Sequence, residues 1–236
     1  MTRGPIIAID GPAGAGKSSV ARHLAQHFGL LNLETGAMYR AFALKAIQSD
    51  QDFDDACALE RLARDTEIRL EPDRSGNRIY LDGQDVTERI RDSDVTQGAS
   101  RVSVHPRIRA WLVNLQRDLG RLGGVVMEGR DIGTVVFPDA DVKVFLDASP
   151  EARSQRRYEQ NTGNGTAAAA VEPSLVFREL RERDERDRNR LNSPLQPAVD
   201  AIVIDSTSLS LNDVLARIED LVRPLLARRG PVEKVG

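Results

Sequence analysis

Residues 5–18 read Pro-Ile-Ile-Ala-Ile-Asp-Gly-Pro-Ala-Gly-Ala-Gly-Lys-Ser, and this stretch decides the fold. Its first five residues are apolar and rich in β-branched side chains, which is typical of a buried strand. Beyond it, apolar residues from Val20 to Phe28 recur at helical spacing, and Gly29 supplies a stop. The sequence therefore predicts a strand, a glycine-rich turn and a helix that begins near Gly16.

The turn matches the pattern G-x-x-x-x-G-K-[ST] without a mismatch. Glycines let the backbone turn tightly and point several N–H groups at one phosphate, and the helix that follows adds the positive end of its dipole. A lysine at this position can reach the β and γ phosphates, and the hydroxyl after it can ligate Mg²⁺. We expect ATP phosphates to bind Gly11, Pro12, Ala13, Gly14, Ala15, Gly16, Lys17, Ser18 and Ser19, with Ser18 as the magnesium ligand.

Further apolar runs alternate with helical patterns, which indicates an α/β fold with a parallel sheet. A final helix is predicted to begin near Ser210 and to be followed by a polar tail, 228–236. The remaining predicted strands are Leu30–Leu33, Val125–Met127, Val142–Leu146 and Ala201–Ile204.

Two segments interrupt this alternation. Residues 35–123 are too long for one crossover, so we predict an inserted subdomain that contains an antiparallel hairpin within Ile68–Val86. The core would then comprise residues 1–34 and 124–236. The second segment, Asn161–Val171, is rich in Gly, Asn and Ala and predicts a mobile loop.

Composition limits the class of protein. The 236 residues are 40 % hydrophobic and 29 % charged, as in a soluble globular protein. The apolar runs are too short to span a membrane, and the first residues do not resemble a signal peptide. The single cysteine, Cys57, cannot form an internal disulfide and is more simply a small core residue than a nucleophile. We expect a cytoplasmic monomer with no membrane contact.

The net charge of −3 gives no long-range field of the kind that nucleic-acid binders use. Of 33 basic side chains, only four are lysines: Lys17, Lys45, Lys143 and Lys234. This bias has two interpretations. It is either a compositional property of the source genome, or several arginines bind phosphate oxygens, which the guanidinium fits better than an ammonium does.

Three arginine-bearing strings accompany the phosphate loop: Thr35-Gly-Ala-Met-Tyr-Arg40, Glu128-Gly-Arg-Asp-Ile-Gly-Thr134 and Arg183-Asp-Glu-Arg-Asp-Arg-Asn-Arg190. The first two follow predicted strands, at the sheet edge where ligands of α/β folds bind. With these strings the chain resembles the bacterial cytidylate kinase family of nucleoside monophosphate kinases, from Ile7 to about Leu226.

The resemblance implies a reaction and a fold. ATP, with Mg²⁺, would phosphorylate CMP or dCMP to CDP or dCDP. The core would be a five-stranded parallel sheet flanked by helices, with a monophosphate-binding insertion and a mobile lid at about residues 158–172.

The resemblance also implies roles for single residues. Arg40, Arg130 and Arg190 would hold the acceptor phosphate, Ser100, Arg109 and Asp131 would read cytosine, and Arg183 and Asp187 would contact the ribose.

The residues themselves leave alternatives open. In a helix, Arg183, Asp187 and Arg190 share one face, which suits either a ribose phosphate or a solvated set of ion pairs. Arg130 and Asp131 could form a structural ion pair at a strand end. Asp131 also has a chemical rationale, because a carboxylate accepts from the cytosine amino group and opposes the uracil carbonyl.

Three arginines precede the predicted loop. Arg153 and Arg157 could join Lys17 as catalytic residues by steadying the transferring phosphoryl group, whereas a plain helix surface explains one or two of Arg153, Arg156 and Arg157 equally well.

Other constellations are weak. His23 and His27 are four residues apart, a spacing that can bind zinc, but the sequence shows no third ligand, so we predict no metal there. Trp111 and Leu115 are most simply packing residues.

Two other functions compete with a CMP kinase. One is a kinase for UMP, AMP or a metabolite hydroxyl. The other is a nucleotide-dependent nucleic-acid-binding protein that uses residues 178–190. The acidic residues interleaved in this segment and the net charge argue against this second function.

Overall fold

The computed structural model describes residues 3–73, 76–163 and 172–229. Five parallel strands form one sheet, in the spatial order β2-β6-β1-β7-β8, as predicted. A separate antiparallel sheet has the order β3-β4-β5. The strands are β1 Ile6–Asp10, β2 Leu31–Glu34, β3 Ile68–Asp73, β4 Gly76–Leu81, β5 Gln84–Asp85, β6 Val125–Glu128, β7 Val142–Asp147 and β8 Ile202–Asp205.

Helices follow most of these strands. Helix α1 starts directly after Gly16, which is left-handed at φ 97°, and ends at left-handed Gly29, as the sequence predicts. The helices are α1 Lys17–Phe28, α2 Thr35–Gln48, α3 Ala56–Arg64, α4 Ser93–Val102, α5 Pro106–Gly120, α6 Pro150–Gly163, α7 Pro173–Asn189 and α8 Leu211–Arg229, with a 3₁₀ turn at Arg89–Arg91 and a π-helical turn at Ile132–Val136.

Strand β1 is the centre of the sheet, and its apolar residues are fully buried. Ile7 pairs with Val126 on one side and Val142 on the other. Residues on both faces of β1 are buried, which explains why the strand is a continuous apolar run and not an alternating one.

The two faces of the sheet bury two apolar clusters. On one face Ile7 and Ile9 pack with residues of α1 and α8. On the other face Ile6 and Ala8 join a larger cluster formed with α2, α4, α5 and the antiparallel sheet. Residues 35–123 thus share a core with the main sheet, and their division into a separate subdomain stays a prediction.

The predicted hairpin within Ile68–Val86 is present and gains a third short strand, β5. Asn77 fastens this small sheet to β2, because its side-chain amide donates to the Asn32 carbonyl at 2.9 Å and its oxygen accepts from the Glu34 N–H at 3.2 Å. The antiparallel sheet is therefore held beside the end of β2.

Three local expectations need correction. Asn161–Gly163, predicted as loop, continue helix α6, and residues 164–171 of the same prediction lie outside the described residues, as do residues 230–236 of the tail. Arg228 and Arg229, predicted as tail, belong to α8. Cys57 is exposed on the first turn of α3, because the apolar face of that helix is formed by Ala58, Leu59 and Ala63.

Across the described ranges, we find no helix with the length and apolar character that a membrane crossing demands.

Gly11 joins β1 to the phosphate loop with φ at 143°, and a Cβ there would lie 2.0 Å from the Leu146 carbonyl oxygen. We expect Gly11→Ala to lower the free energy of unfolding by about 3 kcal/mol or more, because the backbone at residue 11, the backbone at Leu146, or both must move to make room for the methyl group. The matched control Gly83→Ala, at φ 80° with no described atom within 4 Å, should cost only the strain of about 1–2 kcal/mol. Urea unfolding of both variants tests this, and equal losses would contradict it.

Candidate active site

The phosphate loop lies at the rim of a cleft of about 2000 Å³, which residues 13–19 line in an unbroken run. Lys17 is buried and its Nζ donates to the Pro12 carbonyl at 2.6 Å. Burial, together with the nearby positive charge of Arg130, lowers the pKa of Lys17 to about 7. A phosphate group in the loop would supply the negative charge that this amine lacks.

Two buried carboxyl groups, those of Glu128 and Asp10, lie near the loop. Glu128, at the end of β6, is hydrogen-bonded to Ser18, and burial followed by the charge of Glu34 raises its pKa. Burial likewise raises the pKa of Asp10 to about 6, against the effect of the two backbone N–H groups that donate to it. Both carboxyl groups are thus within electrostatic reach of Lys17.

Asp10 also fixes the second arginine-bearing string. Its carboxylate accepts from the Ile132 N–H at 2.8 Å and the Gly133 N–H at 2.7 Å. Thr35 makes a comparable link, since its hydroxyl donates to the Glu128 carbonyl at 2.8 Å. The ends of β1, β2 and β6 are therefore fastened together at one edge of the sheet, as their positions in the sequence predicted.

The three arginines expected to hold an acceptor phosphate converge on this edge, each beside a carboxylate. Arg40 pairs with Glu34, and Arg130 donates through Nε to Asp187 at 2.9 Å. Arg190 Nη1 lies 3.5 Å from Asp187 Oδ1, the other carboxylate oxygen, and Arg190 Nε donates to the Ser193 carbonyl. One carboxylate thus balances two guanidinium groups.

Neighbouring charges shift the pKa values of the side chains in this cluster. Burial would raise the pKa of Asp187, but Arg130, Arg183 and Arg190 outweigh it and lower the pKa. Burial, followed by the charge of Arg130, lowers the pKa of Arg183 to about 10. An additional anion would be electrostatically favoured here.

Unused donors point in the same direction. Considering residues 3–73, 76–163 and 172–229, one buried nitrogen in each of four arginines has no hydrogen-bond partner. A buried donor without an acceptor is costly, so these atoms are suited to oxygens of a ligand. The atoms are Arg40 Nε, Arg109 Nε, Arg183 Nε and Arg190 Nη2.

Of the residues expected to read cytosine, Arg109 and Asp131 lie deeper than the cleft lining, whereas Ser100 is part of that lining. Arg109 and Asp131 form an ion pair with both side chains less than 10 % exposed, and the guanidinium carbon of Arg109 lies 5.5 Å from the centre of the Tyr39 ring. Ser100, on α4, accepts from Arg186 Nε at 3.1 Å. Arg130 and Asp131 do not pair with each other, a possibility that the sequence left open: Asp131 pairs with Arg109, and Arg130 pairs with Asp187.

The cleft does not expose all of these side chains. Arg40, Arg130, Arg157, Arg183 and Ser100 line it together with the loop. In contrast, Arg109, Asp131, Asp187 and Arg190 are buried beneath its wall, as is Arg153.

Arg190 requires a correction. Helix α7 ends at Asn189, and Arg190 is its extended C-cap at ψ 139°, so Arg190 does not continue the helical face of Arg183 and Asp187. Its guanidinium still meets Asp187, because the chain turns back at the helix end and Leu195 N–H donates to the Asp187 carbonyl.

The two arginines proposed for catalysis differ in environment. Arg153 is 2 % exposed and donates to the Ala148 carbonyl at 2.9 Å and the Ala13 carbonyl at 3.1 Å, and it pairs with Asp184 at 2.6 Å. It therefore bridges the phosphate loop and α7. Arg157 lines the cleft, and burial followed by the charge of Arg40 lowers its pKa.

Sequence reasoning missed the carboxylates and the hydrogen-bonding partners that hold the arginines. Glu34 could have been found, since it directly follows the predicted strand Leu30–Leu33 and precedes the string that contains Arg40. Asp184 and Arg186 lie within the third string, but only the packing of α7 shows that they meet Arg153 and Ser100.

Comparison with known proteins extends this picture. The sequence model of the "Cytidylate kinase" family matches residues 7–224. The cytidylate kinase of Pelotomaculum thermopropionicum is 50 % identical over 92 % of this chain and 96 % of its own. That of Solibacter usitatus is 46 % identical over 92 % of both chains.

A third relative is longer. The bifunctional pantoate ligase/cytidylate kinase of Synechococcus sp. (strain JA-2-3B'a(2-13)) is 49 % identical over 97 % of this chain, which spans 42 % of that protein. The family match covers the phosphate loop and all three arginine-bearing strings. The chain belongs to the cytidylate kinase family.

Proposed function

We propose that this protein transfers the γ-phosphoryl group of ATP to CMP or dCMP, which gives ADP and CDP or dCDP. Membership of the cytidylate kinase family supports the reaction. The observation that carries it is that one cleft is lined both by the phosphate loop and by Arg40, Arg130 and Arg183.

The chemistry requires positioning more than proton transfer. An oxygen of the CMP phosphate attacks the γ-phosphorus in line, and the bond to the β–γ bridging oxygen breaks as ADP leaves. Because the CMP phosphate is already ionised near neutral pH, no general base is needed. Lys17 and the arginines neutralise the charge that moves between the two phosphates.

The donor nucleotide is assigned to the loop. Its backbone N–H groups, the N-terminus of α1 and Lys17 bind the triphosphate. The Ser18 hydroxyl would hold Mg²⁺, and Glu128 beside it provides the oxygen chemistry that this cation prefers. When bound, the ion neutralises charge on the β and γ phosphates.

The acceptor is assigned to the arginine cluster. Arg40, Arg130 and Arg190 would bind the CMP phosphate, and Arg183 with Asp187 would bind the ribose. For this to occur, phosphate oxygens add to the partners that Glu34 and Asp187 already provide. The unused nitrogens of Arg40 and Arg190 support this assignment.

Base recognition is assigned to Asp131, Arg109 and Ser100. The Asp131 carboxylate can only accept, so it suits the amino group of cytosine and repels the carbonyl of uracil. Arg109 positions the Asp131 carboxylate through their ion pair.

The arginines of α6 have separate proposed roles. The contacts of Arg153 with the Ala13 carbonyl and Asp184 support a role in positioning the loop. Arg157, which faces the cleft, is the better candidate for steadying the transferring phosphoryl group. A catalytic part for Arg153, a monomeric state and a cytoplasmic location stay predictions.

An acceptor panel tests the function. With ATP and Mg²⁺, ADP formation is measured separately with CMP, dCMP, UMP and AMP. We expect rapid ADP release with CMP or dCMP and slow release with the other two. Absence of magnesium-dependent ADP release with both cytidine nucleotides would refute the proposal.

Lys17→Met should lower kcat/KM by about 10²–10³-fold or more, because it removes the charge placed for the β and γ phosphates. The matched control is Lys45→Met, since Lys45 pairs with Asp82 beside the antiparallel sheet. Steady-state kinetics and circular dichroism separate loss of catalysis from loss of fold. Near-normal turnover of a folded Lys17→Met variant would contradict the loop assignment.

Asp131→Asn should reduce the preference for CMP over UMP, as a ratio of kcat/KM values, by about tenfold or more, because an amide can also donate to uracil. The variant also leaves Arg109 without its charge partner, which lowers stability. The ratio of two acceptors on one enzyme is insensitive to that loss. Asp139→Asn, at an exposed pair with Arg3, is the control, and an unchanged ratio in Asp131→Asn would exclude base recognition.

A further inference from the structure

A cluster outside the cleft brings together groups that the reaction does not use. His23 and His27 lie one helical turn apart on the exposed face of α1, and α8 places Glu219 against them. Helices α1 and α8 pack on the same face of the sheet, with Val20, Leu24 and Ile218 among their shared buried residues. The packing of α8 on α1 thus supplies Glu219 as the third ligand, which the spacing in the sequence did not reveal.

The distances within the cluster suit a small cation. His23 Nε2 lies 2.9 Å from Glu219 Oε1, and His27 Nε2 lies 3.9 Å from Oε2. Bonds of about 2.0–2.1 Å to a tetrahedral zinc ion put ligand atoms about 3.3 Å apart, between these two values. All three ligand atoms lie within 4.8 Å of one another.

The surroundings also suit a ligand. The imidazole rings are nearly parallel, at 10° with centres 5.8 Å apart, and the Nε2 atom of each lies within 4 Å of the Glu219 carboxylate. The histidine side chains are 43 % and 45 % exposed, whereas Glu219 is 16 % exposed. A fourth position therefore faces solvent and can take water.

We propose that His23, His27 and Glu219 form a binding site for a divalent transition-metal ion of the zinc class. Two imidazoles and one carboxylate favour zinc, nickel or copper over magnesium, which prefers oxygen ligands alone. The bound ion links α8 to α1, the helix that begins with Lys17 and Ser18. Because the site requires both helices packed together, the ion binds only the folded chain and stabilises it.

Within the described part of the chain, Arg223 competes for the Glu219 carboxylate. Arg223 lies 3.4 Å from Glu219 Oε2, the oxygen nearer to His27. Arg223 is 65 % exposed, so its hold on the carboxylate is weak and screened by solvent. A transition-metal ion with two imidazole ligands displaces it readily.

Calorimetric titration of Zn²⁺ into chelator-treated protein tests the site. A Cys57→Ser background removes the exposed thiol as an alternative ligand. We expect one ion per chain with micromolar or tighter affinity, a rise in Tm with Zn²⁺ and no such rise with equimolar Mg²⁺. No saturable one-to-one binding below about 100 μM Zn²⁺ would overturn the proposal.

Variants locate the ion. His27→Gln and Glu219→Gln should each weaken Zn²⁺ binding at least tenfold while circular dichroism shows an intact fold. His105→Gln is the matched control, because His105 bonds the Phe53 carbonyl on another part of the chain, and its affinity should be unchanged. Undiminished binding by the first two variants would overturn the assignment.

Discussion

The rest of the structure depends on the burial of more guanidinium groups than the chain itself can satisfy. Asp187 forms ion pairs with Arg130 and Arg190, and Asp131 forms an ion pair with Arg109. Removing a charge from water costs several kcal/mol unless partners replace the water, and here the partners are incomplete. In the described chain, four buried arginine nitrogens have no hydrogen-bond partner to replace the water that they lost. Oxygen atoms of a bound nucleotide would complete the set of partners.

In addition to these carboxylate partners, the fold positions the arginines through contacts that fasten the strand ends together. Asp10 accepts two N–H groups from the turn after Arg130 and Asp131, although burial raises its pKa to about 6. Arg153 similarly bridges the phosphate loop and α7. The arginines are therefore held in place before any ligand arrives, which saves the cost of ordering them during binding.

Local signals predicted the fold well. The phosphate loop, the five strands and the limits of α1 follow from short apolar runs and glycines, which need no information from distant residues. Two expectations were wrong because they depend on tertiary contacts. Arg190 lies beyond the end of α7, where the chain turns back towards Asp187, and Cys57 lies on the exposed face of α3. The packing of α8 determines the position of Glu219 beside His23, and no spacing in the sequence encodes it.

The site was predicted as a set of residues but not as a geometry. The resemblance to cytidylate kinases implied the arginines. The structure adds their carboxylate partners and, in addition to Arg153, the burial of four predicted residues below the cleft. Such burial arises from contacts between α5, α7 and the turn after β6, which are distant in sequence.

Calorimetric binding of CMP and of cytidine to the same protein tests the central claim most directly, since the two ligands differ only in the phosphate. We predict that CMP binds at least about a hundredfold more tightly, as expected for several charge-assisted hydrogen bonds. We also predict that Arg130→Met lowers the affinity for CMP by a larger factor than the affinity for cytidine. Equal affinities for CMP and cytidine in the unaltered protein would contradict the account.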